Sequence, residues 1–162
     1  MKLKNILIVV KDIQISKRFY KELFGLDIVT DFGENVILTE GLVLQEQNVW
    51  ETFTKQTVQY GNHDAELYFE ENDMDTFLER LDKSTWNISY VNKLMEHDWG
   101  QRVVRIYDPD NHVIEVGESL SYVARRFLKQ GMSISDTAQK TQLPKDMVKE
   151  IAKAEEKGEL PR

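Results

Sequence analysis

The feature that most constrains this chain is an internal repeat. A strand, a helix and three further strands are spelled out twice, with Asp12 falling on Asp73 at an offset of 61 residues. Leu3 to Val10 is an aliphatic, β-branched run suited to a buried strand. Asp12 then opens a helical pattern: Ile13, Ser16, Phe19, Tyr20, Leu23 and Phe24 recur at three- and four-residue spacing, and Gly25 stands where a helix ends. Residues 27–32, 36–39 and 42–47 read as three short strands, separated by the turn signals Gly33-Glu34-Asn35 and Glu40-Gly41. Residues 49–63 are polar and irregular and read as a linker.

The order then returns. Residues 65–70 predict a strand in which Glu66, Tyr68 and Glu70 share one face and Leu67 and Phe69 the other. Asp73 opens a helix carrying Met74, Phe77, Leu78 and Leu81, and strands are expected at 86–94, 102–107 and 113–117. Asp108-Pro109-Asp110-Asn111 is a turn with proline at its favoured second position, closing a hairpin between the last two strands. The expected fold class is α+β, a duplicated βαβββ unit over residues 1–118 (modules about 1–48 and 64–118), followed by a C-terminal helical tail over 119–162.

In that tail, Leu120, Val123, Ala124, Phe127 and Leu128 form one amphipathic helix ending at Gly131. Ser133 or Ser135 can cap a second, and Pro144 starts a third with Met147, Val148, Ile151 and Ala152 on one face. Residues 131–151 resemble a helix-turn-helix in spacing, with Gln142 where a turn glycine is usual. Lys145, Lys149 and Lys153 are accompanied by Asp146, Glu150 and Glu155, which is not the basic stripe of a DNA reader. The tail is expected to cap the domain or support a dimer without forming the pocket.

Composition removes whole classes of chemistry. Cysteine is absent from all 162 residues, which excludes disulfides, zinc fingers, thiol nucleophiles and iron–sulfur ligation. The apolar run Ile6 to Val10 is shorter than the roughly 7–15 residues of a secretory core or the roughly 20 of a membrane helix. A soluble, cytoplasmic protein with no membrane partner is therefore expected. Residues 1–118 carry 12 Lys and Arg against 22 Asp and Glu, and residues 119–162 carry 9 against 6, within a net charge of −7. An acidic body argues against nucleic acid as a partner. No GxGxxG, GxxxxGK[ST], HExxH or GxSxG motif is present, so no nucleotide cofactor or serine hydrolase is indicated.

Three segments carry a family resemblance: KNILIVVKDIQISKRFYKELFGLDIV at 4–29, AELYFEENDMDTFLERL at 65–81, and RVVRIYDPDNHVIEVGE at 102–118. Together they resemble the glyoxalase/bleomycin-resistance/dioxygenase (vicinal oxygen chelate) superfamily, with Asn111 at the glycine position of its closing Asp-Pro-Asp-Gly hairpin. The resemblance implies two βαβββ modules curling into a half-open barrel around a cleft, usually in a homodimer. It also implies a divalent metal held by first-strand and last-strand residues of each module. Carried onto this chain, those positions are Asn5, Glu66 and Glu115, with the fourth in 42–47, where Gln45 and Glu46 are the polar candidates. Oxygen donors without histidine favour Mg²⁺, Mn²⁺ or Ca²⁺ over zinc or nickel.

Two functions follow as expectations. One is a glyoxalase-like enzyme, a metal-dependent lyase or isomerase acting on a small molecule, with Glu115 and His97 as catalytic residues. The other is a bleomycin-resistance-like protein that sequesters a small cationic or aromatic ligand without catalysis. Trp99 and Arg102 are the expected substrate-binding residues, at the mouth of the final hairpin. A hairpin pairing Tyr107 with His112 would put Arg102 diagonal to Glu115, where it could neutralise that carboxylate without a metal. His63 and His112 are read as linker and turn residues.

Overall fold

A computed structural model describes residues 1–157; the last five residues of the expected 119–162 tail lie outside the described residues. The element order is β1 (Ile6–Val10), α1 (Ile13–Phe24), β2 (Ile28–Asp31), β3 (Asn35–Leu38), β4 (Leu42–Glu46) and α2 (Gln47–Thr54). It continues with β5 (Glu66–Glu71), α3 (Met74–Lys83), β6 (Tyr90–Glu96), β7 (Arg102–Tyr107) and β8 (Val113–Glu118), then α4 (Leu120–Lys129), α5 (Ile134–Thr141) and α6 (Lys145–Glu156). The strands form two open four-stranded sheets with the same internal order, β1-β4-β3-β2 and β5-β8-β7-β6. In the first, β1 runs parallel to β4, and β3 is antiparallel to both neighbours. The class is α+β, and the repeated strand order is the duplication read from the sequence.

Local chemistry sets the helix limits. Asp12 caps α1 by accepting hydrogen bonds from the backbone N–H groups of Gln14 and Ile15, an arrangement worth about 1 kcal/mol. Gly25 ends α1 with a left-handed φ of 69°. Between them Ile13, Ser16, Phe19, Tyr20 and Leu23 are buried, one continuous face at helical spacing. Asp73 caps α3 in the same way, accepting from the Thr76 N–H and hydroxyl.

Two segments differ from expectation. The linker expected over 49–63 is helical in its first part: α2 begins at Gln47, the last residue of the expected strand 42–47, and its turns are tied by Thr52 and Thr54 hydroxyls donating to the carbonyls of Asn48 and Trp50. Its residues are all at least partly exposed, so no buried stripe marks it in the sequence. The sixth strand starts at Tyr90 rather than at 86. Trp86 instead packs edge-on against Phe19 at 5.3 Å and donates its indole N–H to Glu22.

The chain forms two compact units. The first comprises Met1–Leu67, Arg80–Ser89 and Tyr107–Val113; the second comprises Tyr68–Glu79, Tyr90–Ile106 and the chain from Ile114 onward. Val10, Phe19, Tyr20, Leu23, Val36, Leu38 and Leu44 build the core of the first. In the second, Met74, Phe77, Val103, Val104, Ile106 and Ile114 are buried with Val123, Ala124 and Phe127 of α4. Gly100, at φ 88°, lies directly under the Phe127 ring, where any Cβ would collide with it. No helix among the described residues is long and apolar enough to cross a membrane.

Candidate functional site

Of the positions expected to hold a metal, Gln45 and Glu115 are committed to other partners. Asn5 is exposed ahead of β1, and Glu66 is exposed at the start of β5. Gln45 uses both ends of its amide, accepting from Asn35 Nδ2 and donating to the Glu34 carbonyl, each at 2.8 Å. Glu115 is 8% exposed on β8, a strand flanked by β5 and β7, and it is ion-paired with Arg105. Among the described residues no three His, Asp or Glu side chains are grouped to hold a metal ion. This donor set does not fit a resident divalent cation, because a carboxylate neutralised by a guanidinium and an amide already committed have little left to offer one.

The pairing of Glu115 corrects the expected hairpin register. The Asp108 N–H bonds the His112 carbonyl at 3.0 Å, and Asn111 takes a left-handed φ of 67°. Three residues, 109–111, therefore connect the strands, with asparagine where a loop of this kind needs positive φ. Counting outward from that pair puts Arg105 across from Glu115 and Arg102 across from Glu118. Arg102 accordingly bonds Glu118 through Nε at 2.8 Å and Nη2 at 2.6 Å, and Asp75 through Nη1 at 2.8 Å. It is a structural cross-link rather than a neutraliser of Glu115.

His97 and Trp99 share a tight turn in which the Gly100 N–H bonds the His97 carbonyl at 2.8 Å. Their rings stack at 4.3 Å, 14° from parallel. The Trp99 indole N–H donates to Gln101 Oε1, and Gln101 Nε2 donates to the Glu118 carbonyl at 2.7 Å. Trp99 lines an open cleft of about 470 Å³ with Met132, Asp136 and Lys140. Met132, Asp136 and Lys140 of this cleft belong to the tail.

A second cavity, of about 380 Å³, lies wholly within the first unit. Ile6, Ile8 and Leu67 supply apolar wall, Tyr60 and His112 supply rings, and Asp64 and Glu66 add carboxylates. Behind it is a buried polar cluster. Asp108, with its side chain fully buried, accepts from the Tyr20 hydroxyl at 2.9 Å and is 2.8 Å from His112 Nδ1, both at Oδ2. Its Oδ1 accepts from the backbone N–H groups of Asp110 and His112. Burial, and then the charge of Asp108, push the Tyr20 phenol well above its usual range, so it remains a donor. Asp110 accepts from the Lys11 N–H; burial first and the Asp108 charge push its carboxyl up. The Tyr60 phenol is raised to about 12, mainly by burial and then by Asp110, and Lys11 Nζ sits 4.3 Å over its ring. His63 is joined to the Tyr107 hydroxyl at 2.7 Å.

Sequence reasoning saw His112 only as a turn residue. The available signal was Tyr20: a tyrosine on the buried face of a helix needs a polar partner for its hydroxyl, and nothing local supplies one.

Residues 3–121 match the profile of the family described as Glyoxalase-like domain. The chain belongs to that family. Among solved structures, this glyoxalase-like chain is similar to a protein of unknown function from Agrobacterium tumefaciens C58, with 37% identity and a TM-score of 0.64 over 74% of this chain and 94% of the other. It is also similar to a glyoxalase-related enzyme from Fulvimarina pelagi, at 19% identity and TM-score 0.63 over 73% and 88% of the two chains. A lactoylglutathione lyase from Agrobacterium tumefaciens gives 21% identity and TM-score 0.56 over 73% and 93%. The last two likenesses show the fold. No curated protein matches the chain significantly. Family membership places the chain in the vicinal oxygen chelate superfamily that its motifs resemble.

Proposed function

We propose that this glyoxalase-like chain binds a small aromatic or cationic molecule in the cavity of its first unit, without a resident metal. The observation that carries this reading is the lining itself. Ile6, Ile8, Leu67 and Tyr60 can cover an apolar body, while Asp64 and Glu66 suit an ammonium group or another donor. The Glu115–Arg105 pair speaks against the metal-dependent lyase, since it uses the carboxylate that such a site would need. The proposal takes residues 1–118 as the ligand-binding domain and the chain from 119 as an appendage, in a cytoplasmic homodimer.

Benzylammonium tests it. A ligand at 100 times its dissociation constant stabilises the fold by about 2.7 kcal/mol, which is about 5–10 °C in melting temperature for a chain of this size. The expected result is a saturable rise that is equal in EDTA and in Mg²⁺, Mn²⁺ or Zn²⁺, and that is lost in Leu67→Asp. A rise that requires a divalent ion would overturn the metal-free reading.

A further inference from the structure

His112 is the one histidine at the wall of this cavity, and its environment fixes which of its nitrogens can meet a ligand. As a carboxylate, Asp108 can only accept, so the contact at 2.8 Å assigns the hydrogen to Nδ1. Tyr20 supports this: its phenol spends its hydrogen on the same oxygen. Backbone N–H groups hold Oδ1, so the carboxylate is anchored from four directions. In the neutral imidazole, Nδ1–H in turn leaves the lone pair on Nε2. The Tyr60 ring, 6.0 Å away and 74° from parallel, packs beside the imidazole. The titratable and charged groups around the ring are Asp108 and Asp110 of its own hairpin, Tyr20 of α1, Tyr60 with Lys11, and Asp64 and Glu66 of the cavity lining.

We propose that His112 Nε2 is a hydrogen-bond acceptor for the bound molecule, so that the cavity selects small molecules carrying a hydroxyl on an apolar body. This rests on reading the cavity as the ligand site. Asp108 acts through His112 and is a positioning residue. Its role is to keep the tautomer in which Nε2 accepts the ligand's O–H; with hydrogen on Nε2 the same nitrogen could only donate, to the lone pair of a hydroxyl or a carbonyl oxygen.

The experiment compares benzyl alcohol with ethylbenzene, which differ by a hydroxyl in place of a methyl. The full chain is treated with diethylpyrocarbonate, which acylates an imidazole nitrogen bearing a lone pair, and modification of His63, His97 and His112 is followed by peptide mass mapping. The expected result is that His112 reacts, and that benzyl alcohol protects it at a concentration about tenfold below the one ethylbenzene needs, the most one ordinary hydrogen bond supports. Asp108→Asn, whose amide can donate to Nδ1 and move the hydrogen to Nε2, should slow modification of His112 while leaving His97 unchanged. The wild-type comparison stands by itself if that variant does not fold. Equal protection by the two probes overturns the hydroxyl assignment, and so does a His112 that stays unmodified while His63 reacts. Protection by neither probe overturns the cavity reading, and this inference with it.

Discussion

Glu115 and Arg105 occupy opposed positions on β8 and β7, and their pairing decides what a substitution there does. Glu115→Gln removes the charge from a pair whose side chains are 10% and 22% exposed. Breaking such a pair costs about 2–3 kcal/mol, below the range for full burial because Arg105 keeps some water. Urea unfolding should show the same loss in EDTA and in Mg²⁺; a loss present only with metal would restore Glu115 as a ligand. Asp110 predicts a pH effect of definite sign. Its folded carboxyl is raised by burial and by Asp108, so it binds a proton more readily folded than unfolded. Its contribution to stability is full below the unfolded carboxylate range, near 3.9, and is lost as pH rises through the higher folded value. Asp110→Asn does not titrate, so the melting temperature of the variant relative to wild type should climb between pH 3.5 and 7. A difference that stays flat over this window would remove Asp110 from the pH response.

At the scale of elements, the helices with a buried face and a cap were legible: α1 between Asp12 and Gly25, and α3 behind Asp73. Among the tail helices, Ser133 caps α5 by accepting from the Asp136 N–H, and Gln142 takes the left-handed turn conformation at φ 61° where glycine is usual. The eight residues of α2 were not legible, since none is buried and their hydrogen bonds come from hydroxyls and amides of polar residues. Trp86 misled for the opposite reason: an aromatic residue reads as strand, yet its partner is Phe19 on a distant helix. The turn at Gly100 gives the element-scale prediction. It has positive φ, and α4 lays Phe127 against it. Gly100→Ala should therefore destabilise by about 2–4 kcal/mol through strain and overpacking together. Chemical denaturation measures this, and a change below about 0.5 kcal/mol would mean that the turn and α4 separate easily.

At the scale of the molecule, the second unit includes α4, whose Arg126 bonds Glu118 and the Gly100 carbonyl. Glu118 has its side chain wholly buried and also receives Arg102. Ending the chain after Glu118 strips Val123, Ala124 and Phe127 from the core and leaves that carboxylate with one guanidinium fewer. Buried apolar side chains contribute about 1.5–3 kcal/mol each, and at about 2–4 °C per kcal/mol the melting temperature should fall by 10 °C or more. Calorimetry of the shortened chain checks this; an unchanged transition would make the tail dispensable. The sequence by itself determined the class, because hydrophobic period and caps are local and the repeat announces its own order. Its functional residues are another matter. Whether Glu115 meets Arg102 or Arg105 turned on one residue of hairpin loop, and His112 became a candidate only through Tyr20 and Asp108, 88 residues apart. Tertiary structure decided both, since a side chain's partners depend on register and on distant packing that no local pattern encodes.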